Sequence, residues 1–334
     1  MSGAAPLRAE GDRVESTATM REYIAWLATG IIGVVLAYVL GLVALDKFGR
    51  LPPPQFSNSL CVDEKLNVMH VAPPRDVNLL VVGSSVAWRH FNSAVAEAVD
   101  PSLRIYNAGF CGTSLRQTED VAKWLVGRLP TVRHLIIMAS PIDFTDCSTT
   151  RASTFEIAGA DEYVFLGGSS WRAYFRYFDP VTLIGNSRNV AARRNDVGNF
   201  DALRFDRFGD GPIEPPRDRG LHYGPAGTFD ARCFAALRST ATMLGRRGIT
   251  VDIFETPIHP AWRAKFDPDG MKLGLLRSDI GRALAGTGGR QHELDGEVPP
   301  DGFYDAIHVR WSVTPALTRA LLKRLDYVHP ESRP

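Results

Sequence analysis

Four short stretches of this chain carry the residue types that nucleophilic catalysis needs. Gly83-Ser84-Ser85 supplies hydroxyls, and Asn107-Ala108-Gly109-Phe110-Cys111-Gly112-Thr113-Ser114 is a glycine-bearing turn. Ala139-Ser140-Pro141-Ile142-Asp143 adds a carboxylate, and Tyr304-Asp305-Ala306-Ile307-His308 places an Asp three residues before a His. A serine hydroxyl attacks an acyl carbonyl only when a base takes its proton, and that base is commonly a histidine held by a carboxylate. Backbone N–H groups in a turn can then face the negative charge that develops on the carbonyl oxygen. Together the stretches point to acyl transfer.

For this chemistry to occur, the four stretches must meet, and the surrounding pattern supplies a way. Val77 to Val82, Leu103 to Tyr106, His134 to Met138 and Ile249 to Phe254 read as short buried strands, with a weaker one at Gln291 to Leu294. Helical patterns alternate with them at Ser93 to Val99, Leu115 to Leu125, Ala231 to Arg247, Met271 to Leu284 and Pro315 to Leu325. Ser114 and Gln117 form a capping box at the second of these helices. Alternation of this kind predicts an α/β fold with a doubly wound parallel sheet, since parallel strands need crossover connections. In such sheets ligands bind at the carboxyl ends of the strands, which is where the first three stretches fall. The fourth stands just before the last helix. Residues 145–228 form a long insertion between the third and fourth strands, expected to be a cap or substrate-facing excursion.

Gly83-Ser84-Ser85, Asn107 to Gly112 and Asp305-x-x-His308 resemble the sequence blocks of the SGNH (GDSL-like) serine hydrolases, a flavodoxin-like superfamily. The resemblance implies that Ser85 is the nucleophile, Asp305 and His308 complete a triad, and the N–H groups of Ser85 and Gly112 form an oxyanion hole. Two positions depart from the pattern: Ser84 stands in place of the usual Asp, and Ile142 falls where an oxyanion-binding Asn is usual. Losing one such donor costs about 3–4 kcal/mol of transition-state stabilisation where it is used. Ser140-Pro-x-x-Phe144 and His308-x-x-Trp311 are similar to membrane-anchored SGNH-like proteins of cell-envelope acylation, including the D-alanyl-transfer and exopolysaccharide O-acetylating kinds. That likeness implies an acylated glycan or other ester as substrate and a polytopic membrane acyltransferase as partner. A noncatalytic SGNH-like binding partner of such an acyltransferase is the alternative that Ser84 and Ile142 keep open.

Other residues are assigned smaller parts. Asp143, His259 and Trp262 are candidates for lining a substrate groove, and Asp143 equally for a local hydrogen bond at a strand end. His90 is expected at the solvated surface, as are Arg89 and Arg116, for which contact with an anionic substrate is the alternative, and Cys111 is expected to be structural. Neither a phosphate-binding loop nor an H-E-x-x-H motif is present, so no cofactor or metal is indicated.

Composition sets the remaining bounds. With 38 Lys and Arg against 37 Asp and Glu, the net charge of +1 gives no electrostatic footprint for nucleic acid. Residues 23–45 contain no charge and would make a helix of roughly 35 Å, at about 1.5 Å per residue, enough to cross a bilayer. This predicts a tail over 1–22, an anchor over 23–45, a Pro-rich linker over 46–75, an SGNH-like domain over 76–327 and a short tail over 328–334. The domain is expected outside the cytoplasm, although flanking charges do not fix the orientation. Cys61, Cys111, Cys147 and Cys233 permit three complete pairings, and their spacing selects none.

Overall fold

The computed structural model describes residues 11–147, 154–325 and 327. It divides into two compact units, Met1–Leu51 and Pro52–Pro334. In the first, α1 (Gly11–Lys47) contains the uncharged run, and its apolar part from Thr19 to Lys47 has a mean hydropathy of 2.4, long and apolar enough to cross a membrane. Its large side chains, among them Tyr23, Trp26, Ile31 and Leu40, are exposed. Leu42, at 1% exposure, is an exception. For a helix this apolar to leave most of its large side chains uncovered by protein is the pattern of a segment whose solvent is lipid.

The second unit begins earlier than the sequence suggests. Pro52, Pro53 and Pro54 are buried, and α2 (Leu60–Val71) buries Leu60, Cys61, Val62, Leu66 and Met69. The expected linker over 46–75 is therefore largely folded structure. The prolines obscured it: they read as an extended spacer, while the apolar residues that follow them supply a helix with a core to join.

From there the chain runs through β1 (Leu79–Gly83), α3 (Ser85–His90), α4 (Ser93–Val99), β2 (Ile105–Gly109), α5 (Leu115–Arg128) and β3 (His134–Ala139). A 3₁₀ turn at Pro141–Phe144 leads into the insertion, which carries α6 (Ile157–Phe165), α7 (Ser170–Arg176), α8 (Pro180–Ser187) and α9 (Val190–Asn195). Then come α10 (Ala231–Gly245), β4 (Thr250–Glu255), α11 (Pro260–Phe266), α12 (Met271–Leu284), β5 (Arg290–Glu293) and α13 (Thr314–Arg324). All neighbouring strands are parallel, in the order β2-β1-β3-β4-β5. This is the flavodoxin-like doubly wound arrangement, whose switch point lies between β1 and β3.

β1, β2 and β3 are buried end to end, as a sheet covered on both faces requires. One apolar cluster fills the side of α5 and α10, with Leu80, Val82, Ile137, Leu125 and Leu237; the other fills the side of α4 and α13, with Leu79, Val81, Ile136, Ala96 and Leu321. The capping box of Ser114 and Gln117 is formed at α5.

Candidate active site

The site is built around the end of β1. Gly83 adopts φ +142°, and a Cβ there would come within 2.1 Å of the Met138 carbonyl oxygen on β3. Only glycine permits this close turn, which sends the chain directly from the strand into α3 and leaves Ser84 and Ser85 on the rim. Gly109, at the end of β2, is equally constrained: a Cβ would lie 2.4 Å from the Trp88 amide nitrogen. The missing side chain lets α3 sit directly on the sheet.

The loop after β2 is bound to the same point. Phe110 N–H and Thr113 Oγ1 both donate to the Gly83 carbonyl, at 3.0 and 3.1 Å. Gly112, at φ +65°, is held beside Ser85 in the wall of the cavity. A disulfide between Cys61 and Cys111 ties the loop to α2, and a second joins Cys147 to Cys233.

On this frame Ser85, His308 and Asp305 form one chain of hydrogen bonds, although Ser85 and His308 are 223 residues apart in sequence. His308 Nε2 lies 2.9 Å from Ser85 Oγ, and His308 Nδ1 lies 2.9 Å from Asp305 Oδ2. Asp305 also accepts from the backbone N–H groups of Ile307 and His308, at 2.9 and 2.7 Å, so its own loop fixes its orientation. Burial alone would raise the Asp305 carboxyl, but the His308 ring and these donors override it and hold the group below the usual carboxylate range. An ionised carboxylate at that place keeps the Nδ1–H tautomer of the imidazole and frees Nε2 to take a proton.

Asp143 reaches the site through its neighbours. Its Oδ2 accepts from Ser140 N–H at 2.7 Å and from the hydroxyls of Ser84 and Ser140, each at 3.0 Å. Burial pushes its carboxyl up to about 7 despite those donors. Ser84, in the place where the resemblance expected Asp, is thus the link between the nucleophile turn and the Pro141–Phe144 turn. Ile142 lines the cavity and offers only an apolar side chain.

These residues open on a cavity of about 700 Å³, part of it continuous with solvent. Ser84, Ser85, Gly112, Ile142, Asp143 and His308 line it together with Arg89, Arg193, Phe200, Asp201, Arg219, Tyr223 and Tyr304. Arg193, Phe200, Asp201, Arg219 and Tyr223 of the wall come from the insertion.

The remaining expectations sort themselves by burial. Trp262 is packed with Val86, Ile258 and Leu273, donates to the Gly224 carbonyl and does not line the cavity. His259 caps α11, where its Nδ1 accepts from Ala261 N–H at 3.0 Å, and it too is absent from the cavity wall. Arg116 is at the surface, paired with Glu119. Cys111 is disulfide-bonded. Two expectations are corrected. His90 is fully buried, not at the surface: its Nε2 accepts from Val309 N–H at 3.2 Å, its ring meets His308 edge-on at 5.9 Å, and burial holds it well below the ordinary histidine range. Arg89 is also buried, donating to the carbonyls of Ala202 and Gly211 at 2.8 and 3.2 Å. Both lie one turn beyond Ser85 on a helix too short for periodicity to show which face is solvated. Among the described residues no group of His, Cys, Asp and Glu is placed to hold a metal ion.

The chain is an α/β protein with a serine, a histidine and an aspartate in register on the rim of a parallel sheet. No protein-family model matches the sequence, and no curated protein matches it. Solved structures with some similarity include an aryl esterase of M. smegmatis, at 12% identity and a TM-score of 0.39 over 76% of this chain and 100% of that one. Axe2, an acetylxylan esterase from Geobacillus stearothermophilus, aligns at 12% identity and 0.42 over 77% and 98%. Est24, a carbohydrate acetylesterase from Sinorhizobium meliloti, aligns at 10% and 0.39 over 76% and 100%. Likeness at this level leaves the chain's function to its own residues.

Proposed function

We propose that this chain is a membrane-anchored SGNH-type serine esterase or O-acyltransferase that works outside the cytoplasm through an acyl-Ser85 intermediate. The observation that carries the reading is the unbroken relay from Ser85 Oγ through His308 to Asp305, opening on a cavity. In the first step His308 Nε2 takes the Ser85 proton as Oγ bonds to the acyl carbon. The negative charge passes to the carbonyl oxygen, opposite the Ser85 and Gly112 amides. His308 then returns the proton to the departing alkoxide, leaving the acyl group on Ser85 and a free alcohol. In the second step His308 deprotonates water or a sugar hydroxyl, whose oxygen takes the acyl group and restores Ser85. Water gives hydrolysis and a sugar hydroxyl gives transfer; the relay is identical.

Localisation rests on two supports. The apolar span of α1 suits an anchor, and both disulfides suit an oxidising compartment, where such bridges persist. An acylated cell-envelope glycan is the substrate class proposed, with a polytopic membrane acyltransferase as acyl-supplying partner where the reaction is transfer.

A fluorophosphonate probe tests the central step on detergent-solubilised full-length protein. Labelling is expected in the parent and in Ser84→Ala, and none in Ser85→Ala. An unlabelled parent, folded and with its cavity accessible, would give way to the noncatalytic binding-partner reading that Ile142 favours.

A further inference from the structure

Arg89 is buried to 4% exposure in the wall of the cavity, its guanidinium stacked over the Trp88 ring at 3.8 Å, yet its two hydrogen bonds both go to backbone carbonyls. Among the described residues no carboxylate lies within ion-pair distance of it. A buried guanidinium without a counter-ion is costly, and it is retained where a bound anion completes it. The neighbouring cations repeat the imbalance. Arg193 donates from Nε to the backbone carbonyl of Asp201, not to its carboxylate. Arg219 lies 3.8 Å from the Asp201 carboxylate, which is itself 64% exposed. Three guanidiniums therefore share the cavity wall with two carboxylates, the solvated Asp201 and Asp143, which is engaged with Ser84 and Ser140.

The same wall carries the aromatic surface. Tyr304 lies parallel to the His308 ring at 5.6 Å, Tyr223 meets that ring at 5.3 Å, and Arg219 lies over the ring of Phe200 at 4.9 Å. Arg89 and Arg219 both act electrostatically on the hydroxyls of Tyr304 and Tyr223, the two rings that meet His308. His308 is the group that hands a proton to the leaving alkoxide or takes one from the incoming hydroxyl. An anion held there would lie among the aromatic rings that meet this proton-transferring histidine.

We infer that the alcohol partner of the reaction is an anionic sugar, whose carboxylate or phosphate is bound by Arg89, Arg193 and Arg219 while its ring lies against Tyr223 and Phe200. The inference rests on the acyl-Ser85 reading. Carboxylate and phosphate share the chemistry of a planar or tetrahedral oxyanion accepting paired guanidinium N–H groups.

The test measures binding and needs no turnover. Ser85→Ala protein, full-length in detergent, is titrated calorimetrically with methyl glucoside, methyl glucuronoside and methyl glucoside 6-phosphate. At least one anionic sugar should bind on the order of tenfold more tightly than the neutral one, about one charge-assisted hydrogen bond's worth, and the margin should shrink with added salt. The stronger arm decides between carboxylate and phosphate. Arg219→Ala, at a half-buried position, should shrink the margin severalfold, and Arg89→Lys should do so if a forked contact is needed. Equal affinity for all three sugars, or a margin that neither Arg variant nor salt reduces, overturns the inference. Fluorophosphonate labelling reports separately on the acyl-serine reading: labelled protein without an anion margin sinks this inference alone, whereas an anion margin without labelling sinks the enzyme reading and leaves an anion-binding cavity.

Discussion

At the residue scale, the triad predicts a graded and non-additive loss. His308→Ala should depress single-turnover acylation by an activated ester about 10³-fold or more, because no other base touches Ser85 Oγ. Asp305→Asn leaves the imidazole in place but removes the charge that fixes its tautomer, so the loss should be large yet smaller than for His308→Ala. Adding either change to Ser85→Ala should cost almost nothing further. Near-normal acylation by His308→Ala would end the triad assignment. Asp143 predicts a pH dependence of stability. Its folded carboxyl is raised from an ordinary 3.8 to about 7, so its contribution to stability is complete below about 4 and is lost as pH rises toward 7. Asn cannot ionise and keeps an oxygen for the Ser84 and Ser140 donors. The melting temperature of Asp143→Asn relative to the parent should therefore improve between pH 5 and pH 8, by an amount equivalent to about 1–3 kcal/mol. A flat difference across that range would show that Asp143 titrates normally.

At the element scale, the sequence was most legible where a pattern repeats and least where one residue decides. The five strands and the long helices α5, α10 and α12 were readable from apolar periodicity, and Ser85, Asp305 and His308 stood out through a family resemblance carried by short blocks. The fold of residues 52–74 was not, because three prolines mask a segment whose helix declares itself only once it packs. The burial of His90 and Arg89 was hidden for a different reason. It depends on Gly83 and Gly109 letting α3 lie against the sheet, and glycine spacing does not reveal what approaches it. The disulfide pairing was open because it is set by α2 meeting the loop after β2. That bridge makes its own prediction. Cys61→Ser with Cys111→Ser opens a 50-residue loop and should cost about 4 kcal/mol by loop-closure entropy. It should also slow acylation in protein still folded at low temperature, since Gly112 follows Cys111 directly. Cys147→Ser with Cys233→Ser should cost comparable stability with a smaller effect on rate, as neither residue lines the cavity. Equal rate effects from the two pairs would detach the first bridge from the site.

At the scale of the whole molecule, the two units predict separable behaviour. The protein should stay with membranes through high-salt and alkaline washing, because an apolar span is not held by surface charge. Deleting residues 1–51 should release a soluble domain with the same melting transition, since the compact unit begins at Pro52. Protease added to intact spheroplasts should digest that domain; protection until the membrane is opened would place it on the other side.

The division of labour around the cavity bears on how such a protein changes its preferences. Ser85, Gly112, Asp305 and His308 are carried by strand ends and the loops bound to them, while Arg193, Phe200, Asp201, Arg219 and Tyr223 all come from the stretch between β3 and β4. The second disulfide joins the start of that stretch, at Cys147, to the first turn of α10 at Cys233. A lineage can thus rewrite one contiguous piece of chain, through substitution or exchange, and acquire a new acceptor while its proton relay stays as it was. Grafting residues 190–223 onto a relative with the same rim would transfer taste without transferring chemistry.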